Sequence, residues 1–213
     1  MSQDQSTLLA LFDEVQKKAP EYIDLLAAET DQSFEIAFGA MLERAIHGLE
    51  ANSKNFTDLD EEGLTAVLAL ALAMPGLSVT QETTSNGHVD LTVVADHCLP
   101  MRKKLGEAKV YDGPAKHMKG LAQLLGRYTT GREGRGILIS YVKKPGIANL
   151  VSNLRDRMDA ENPSQQQGPT SDLSMKWSFL SRHEHSCGEV LDVGHISCNL
   201  FSSSATTPLS GIT

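Results

Sequence analysis

In the stretch "VDLTVVADHCLPMRKKLGEAKVY", Glu107 follows Asp90 by seventeen residues and Lys109 comes two positions later. All three sit in runs whose alternation reads as strand. Positions i and i+2 of a strand share a face, so Glu107 and Lys109 project together while Ala108 and Val110 point away. Asp90 lies on the neighbouring run, with Val89, Leu91 and Val93 turned to the core. If the two runs pair, two carboxylates converge beside one ammonium. Buried carboxylates repel one another unless a cation neutralises them. Lys109 could do this in a structural salt bridge, the commoner fate of an isolated E-x-K. The other solution is a hard divalent ion, Mg²⁺ or Mn²⁺ in its place, which prefers oxygen donors and keeps waters for substrate phosphates. With the ion polarising a phosphate and Lys109 holding or helping to deprotonate a water, the chemistry would be phosphodiester hydrolysis.

The elements that must position these groups are legible from periodicity. "STLLALFDEVQKK" is amphipathic and stops at Pro20; "SFEIAFGAMLERAIHGLE" places Phe34, Ala37, Phe38, Met41, Leu42, Ala45 and Leu49 on one helical stripe. A third helix, over "FTDLDEEGLTAVLALALAMPG", reads as capped by Asp58 with Glu61 completing a capping box, and it ends at Pro75-Gly76. The period then changes to two. "LSVTQETTS" and "GHVDLTVVA" flank Asn86-Gly87, a hairpin signal, and "KLGEAKVY" is a third strand. "PAKHMKGLAQLLGRY" is a helix opened by Pro114, "GILISYV" a fourth strand and "GIANLVSNLRDRM" another helix. The expected domain plan is a helical extension over 1–56, an α/β core over 57–158, a linker over 159–173, a β-hairpin over 174–201 packing on the core, and a tail over 202–213.

Forty per cent apolar residues, no long apolar run and no basic leader predict a cytoplasmic chain with no membrane partner. Three cysteines make no disulfide framework. The net charge of −8 disfavours a polyanionic partner until its distribution is read. Residues 1–101 carry 4 Lys and Arg against 17 Asp and Glu, whereas residues 102–157 carry 13 against 4. Such a basic block beside D…E-x-K is the footprint of a phosphate-backbone site or, blandly, a solvated face. On the helix after the third strand, Lys116, Lys119, Gln123 and Arg127 share one stripe opposite Met118, Leu121, Leu125 and Tyr128. Arg132 and Arg135, in the glycine-rich "TTGREGRG", could reach backbone phosphates or simply make a turn.

Taken together, "GHVD", "GEAK" and "QLLGRY", on consecutive strands and the helix behind them, resemble the PD-(D/E)XK nuclease superfamily over roughly residues 58–145. The resemblance implies a restriction-endonuclease-like fold, a mixed sheet flanked by helices. It also implies a magnesium-dependent nuclease in which Asp90 and Glu107 bind the ion, the Ala108 carbonyl adds a ligand and Lys109 assists the water. Some branches place a glutamate on the helix before the first strand, for which Glu62 is the candidate here. Gln123 and Tyr128 are similar to the glutamine–tyrosine motif of the exonuclease-like branch, with a spacing one residue longer, and Val89 stands where the signature has proline.

"RHEHSC" and "HISC" gather His183, His185, Cys187, His195 and Cys198, residue types that zinc takes, at spacings unlike a zinc knuckle. Three functions follow as expectations: a DNA nuclease of restriction or anti-phage defence, a non-catalytic nucleic-acid-binding module, or a partner-binding regulatory protein acting through the acidic N-terminal helices. Cutting both strands of a duplex wants two centres, which points to a homo-oligomer.

Overall fold

A computed structural model describes residues 3–84, 88–128 and 130–202, with the side chains of residues 3–6, 8, 82–84, 88, 127 and 128 outside that description. The Asn86-Gly87 turn and most of the tail also lie outside the described residues. The N-terminal third is helical: α1 (Gln3–Lys18), α2 (Pro20–Leu26) and α3 (Asp31–Ala51). Pro20 ends one helix and opens the next, because a proline at the first helical position lacks only an N–H that would have no intrahelical partner. Thr30 caps α3 reciprocally, its hydroxyl accepting from Ser33 N–H at 3.1 Å while Ser33 Oγ accepts from Thr30 N–H at 3.1 Å. The next helix, α4 (Glu61–Leu72), is capped by Asp60, whose carboxylate accepts from Gly63 N–H at 2.9 Å. This corrects the expected cap at Asp58 and frees Glu61 from a capping role.

The strands are β1 (Ser78–Thr84), β2 (His88–Ala95), β3 (Arg102–Val110), β4 (Gly136–Val142), β5 (Ser171–Asp172), β6 (Ser178–Glu184) and β7 (Val190–Asn199). They form one sheet of order β1-β2-β3-β4-β7-β6-β5, in which β3, β4 and β7 run parallel and the remaining pairs antiparallel. The parallel step from β3 to β4 requires a crossover, supplied by α5 (Pro114–Gln123) and a π-helical turn over Leu124–Tyr128. A further helix, α6 (Ile147–Glu161), follows β4.

Both sheet faces are covered, so β4 is buried at every position and reads as an apolar run. Ile137, Ile139 and Tyr141 join the core under α3 and α4; Leu138 and Val142 join the one under α5 and α6. The C-terminal hairpin continues the same sheet, with β7 in register beside β4 from Gly136↔Val193 to Val142↔Asn199. The expected linker is also tied down. Asp159 accepts from Thr170 N–H at 2.8 Å and Gln166 Nε2 at 3.1 Å, and Gln167 N–H donates to Arg182 O at 2.7 Å.

Much of the charge separation along the chain is used for internal pairing. Arg102 meets Asp31 at 2.9 Å, Lys104 and Arg135 both meet Glu35, and Lys143 donates to the carbonyls of Thr57 and Leu59 at 2.9 and 2.5 Å. The acidic N-terminal helices thus cover part of the basic segment that follows them.

Candidate active site

Strands β2 and β3 pair from Ala95↔Arg102 to Leu91↔Gly106. Beyond that point side chains take over from backbone. Asp90 Oδ2 accepts from Ala108 N–H at 2.9 Å, and Glu61 Oε2 accepts from Val110 N–H at 2.9 Å. Backbone donators at a splaying strand must find some acceptor, and here two carboxylates serve, which draws the first turn of α4 onto the end of β3.

Lys109 lies between them. Its Nζ is 2.7 Å from Glu107 Oε1, 3.0 Å from Glu61 Oε1 and 3.4 Å from Asp90 Oδ2. Glu107 is 1% exposed, and its Oε2 is buried with no hydrogen-bond partner among the described residues. Helix α5 closes over both side chains at Gly120. A Cβ there would stand 3.3 Å from Lys109 Cγ, 3.6 Å from Glu107 Cγ and 3.2 Å from Leu138 Cδ1, so only glycine permits this approach without displacing a neighbour. On the open side, a cleft of about 270 Å³ is lined by Asp60, Glu61, Glu62, Thr65, Gln81 and Asp90.

The electrostatics follow from burial and charge together. Burial pushes the Glu107 carboxyl up to about 7, assisted by Asp90 and Glu61 and opposed by the Lys109 ammonium. For Lys109, burial works against the charged form, but its bonds to Glu107 and Glu61 outweigh that and raise the pKa. Lys109 is therefore held as ammonium. As placed it can donate hydrogen bonds and offset negative charge, whereas Glu107 is the group able to exchange a proton near neutrality.

The sequence-predicted residues divide into two sets. Asp90, Glu107 and Lys109 come together. Glu61 joins them, and Glu62 instead lines the adjoining cleft, its backbone carbonyl accepting from Gln81 Nε2 at 2.8 Å. Ala108 contributes its N–H to Asp90, with its methyl in the core under α3 and α4. Lys116, 3.9 Å from Glu61, and Lys119 are exposed on α5, with Gln123 half-buried at its end. Arg132 and Arg135 are elsewhere. Lys109 is in register with Ser140, and Arg135 lies five residues of strand before Ser140, roughly 17 Å away. Sequence spacing gives Glu61 a capping role and so points to Glu62; in the structure Asp60 caps α4 through Gly63 N–H and Glu61 turns to Lys109 and Val110 instead.

The histidines serve a different purpose from the zinc site that their residue types allow. Ser140 Oγ, His117, His195, Ser181 and His183 form one buried chain. Its links are 2.8 Å (Ser140–His117 Nδ1), 2.7 Å (His117 Nε2–His195 Nδ1), 2.6 Å (His195 Nε2–Ser181 Oγ) and 2.6 Å (Ser181 Oγ–His183 Nε2). His183 Nδ1 faces the Ser164 carbonyl at 3.1 Å and must donate to it. That one acceptor orients the rest: Ser181 donates to His183, His195 to Ser181, His117 to His195 and Ser140 to His117, with all three rings neutral. Burial lowers each of their pKa values, that of His117 to about 3. Cys198 lies in the opposite core, and His185 pairs with Cys187 Sγ at 3.0 Å and the Leu125 carbonyl at 3.1 Å.

A hard divalent ion suits the donor chemistry of Asp90, Glu107 and Glu61: all are oxygen ligands, and Glu107 Oε2 is a buried acceptor without a donor. As placed, however, their common partner is the Lys109 ammonium, and among the described residues no group of three or more His, Cys, Asp or Glu stands gathered for a metal ion. Among the described residues no helix is long and apolar enough to cross a membrane. In comparisons with known proteins, no family model, no curated protein and no solved structure matches this chain.

Proposed function

We propose that this chain is a metal-dependent nuclease of the PD-(D/E)XK type that hydrolyses DNA phosphodiesters. The observation that carries this is the convergence of Asp90, Glu107 and Glu61 on one ammonium at the end of β3, beside an acidic cleft. The succession α4, three antiparallel strands, α5 and a parallel fourth strand supports it, being the core order expected of that superfamily.

Asp90, Glu107 and Glu61 would hold Mg²⁺ or Mn²⁺, with the Ala108 carbonyl as a further ligand and Glu62 in the second rank. When bound, the ion supplies Lewis acidity and a water of lowered pKa. The protein's own part is positioning. Lys109, kept cationic, donates to the attacking water or to a phosphate oxygen and offsets the charge that develops there. Gly120 lets α5 press Lys109 and Glu107 into place, and Lys116 and Lys119 offer exposed cations along the path of a phosphate backbone. Such a nuclease would act in restriction or anti-phage defence, as a cytoplasmic homo-oligomer with one centre per strand.

One observation favours a second reading, a nucleic-acid-binding module whose ion cluster is structural: among the described residues Lys109 alone contacts all three carboxylates. A cleavage assay on supercoiled and linear DNA separates the two. Mg²⁺-dependent cutting that disappears in Glu107→Ala and Lys109→Ala, with both variants folded, supports the nuclease. Salt-sensitive binding with no cutting under Mg²⁺ or Mn²⁺ supports the module.

A further inference from the structure

The sheet face opposite Glu107 and Lys109 carries a cavity of about 490 Å³, lined by α3, β3, β4, β7 and the segment before β6. That volume is in the range of small-molecule sites, which combine apolar walls with a few convergent polar groups. Phe38, Leu42, Met175 and Ile196 give the apolar wall, and Gly39 leaves it open, because a Cβ at that position meets nothing within 4 Å.

Its polar groups are unbalanced. Lys104 is 1% exposed; its Nζ binds Glu35 and the Arg135 carbonyl at 3.1 Å, which accounts for two of three N–H groups. Arg135 approaches the same Glu35 at 3.7 Å, too far for a hydrogen bond, and its Nε is buried without a partner among the described residues. Asp31 also borders the cavity, but its carboxylate is 2.9 Å from Arg102 and largely exposed. Two cations therefore face one carboxylate beside an apolar wall, in a cavity that opens to solvent. Burial lowers the Lys104 pKa while Glu35 opposes the shift, so a further anion would stabilise the charged form. The Arg135 side chain is 29% exposed as a whole, so the uncompensated group is its buried Nε–H, which is costly to leave without an acceptor, and the natural complement of a guanidinium fork is an oxyanion.

We propose that this cavity binds a small organic anion, its apolar or aromatic body against Phe38, Leu42, Met175 and Ile196 and its carboxylate or phosphate on Arg135 and Lys104. The site is independent of the nuclease reading. Lys104 and Lys109 project from opposite faces of β3, so the ligand would touch none of the residues that gather on Lys109.

Calorimetric titration of the whole chain with 2-naphthoate, 1-naphthyl phosphate, neutral 2-naphthamide and 2-naphthylmethylammonium tests this. One of the two anions should bind at least tenfold tighter than the amide, and the cation weakest; whichever anion leads identifies the head group. Arg135→Gln should reduce the anion to the level of the amide. Gly39→Leu, which fills the cavity from a position with free space, should abolish binding of every probe while the thermal midpoint holds or rises. No binding at all, equal affinity for anion and cation, or binding undiminished in Gly39→Leu would each overturn the proposal.

Discussion

Replacing Lys109 by methionine removes the charge at the centre of the carboxylate cluster and keeps a stem to fill the space beneath Gly120. Asp90 and Glu61 are 28% and 34% exposed and can turn to water, but Glu107, at 1%, cannot. Breaking a buried ion pair and stranding one partner costs about 3–5 kcal/mol. The loss is limited by protonation, since the Glu107 carboxyl is already pushed up to about 7 and rises further without the ammonium. The sign follows from linkage. A carboxyl with a raised folded pKa favours the native state below its unfolded pKa, and that contribution fades as pH rises through the folded value. Above pH 7 the wild-type Glu107 is ionised while the stranded carboxyl of the variant stays protonated, so Lys109→Met should lose about 1.4 kcal/mol more at pH 8 than at pH 5, where Glu107 is neutral in both. In a chain of this length the difference is on the order of 4 °C in Tm. Urea titrations at both pH values in chelator-treated buffer measure it, and Glu107→Gln on top of Lys109→Met should restore most of the pH 8 loss. An equal loss at both pH values, or no restoration by the second change, would refute the idea that an uncompensated buried carboxylate sets the cost.

Other expectations are smaller in scope. If the centre is catalytic, Glu61→Gln should lower the cleavage rate by a factor on the order of 100 and Glu62→Gln by much less; equal effects would restore Glu62 as the metal-side glutamate. Gly120→Val should cost about 1–3 kcal/mol by overpacking against Lys109 and Leu138, read as a lower thermal midpoint. The rings of His117 and His195 should show neutral imidazole ¹⁵N shifts at pH 5 with the proton on Nε2, and His183 at pH 8 should carry its proton on Nδ1. Because the first two rings stay neutral when folded but protonate when unfolded, their contribution should fall as pH drops below about 6.5, that of His117 until about 3. Between about pH 4.5 and 6.5 this opposes the Glu107 trend, and with two such histidines against one glutamate the wild-type midpoint should fall on acidification.

Local rules made the elements and the central triad legible from the chain alone. Period-two alternation put Glu107 and Lys109 on one strand face, and apolar stripes marked α3 and α4 as core helices, because both depend on residues a few positions apart. The same local rules misplaced the cap of α4 by two residues, since Asp58 and Asp60 are equally good acceptors and only the packing of the helix against β3 selects between them. Charge counted along the chain marked residues 102–157 as one basic block. In space, Lys104 and Arg135 answer Glu35, Arg102 answers Asp31, and only part of the block borders the Lys109 cluster. Likewise the histidines and cysteines near the C-terminus allow a zinc site by residue type, whereas β7 beside β4 sets His195 against His117 of α5 and turns the histidines into a hydrogen-bonded chain. Types and short spacings specify which groups share a face. Which distant charge neutralises which, and which buried donor meets which acceptor, depends on contacts between residues scores of positions apart, and those exist only once the sheet has closed.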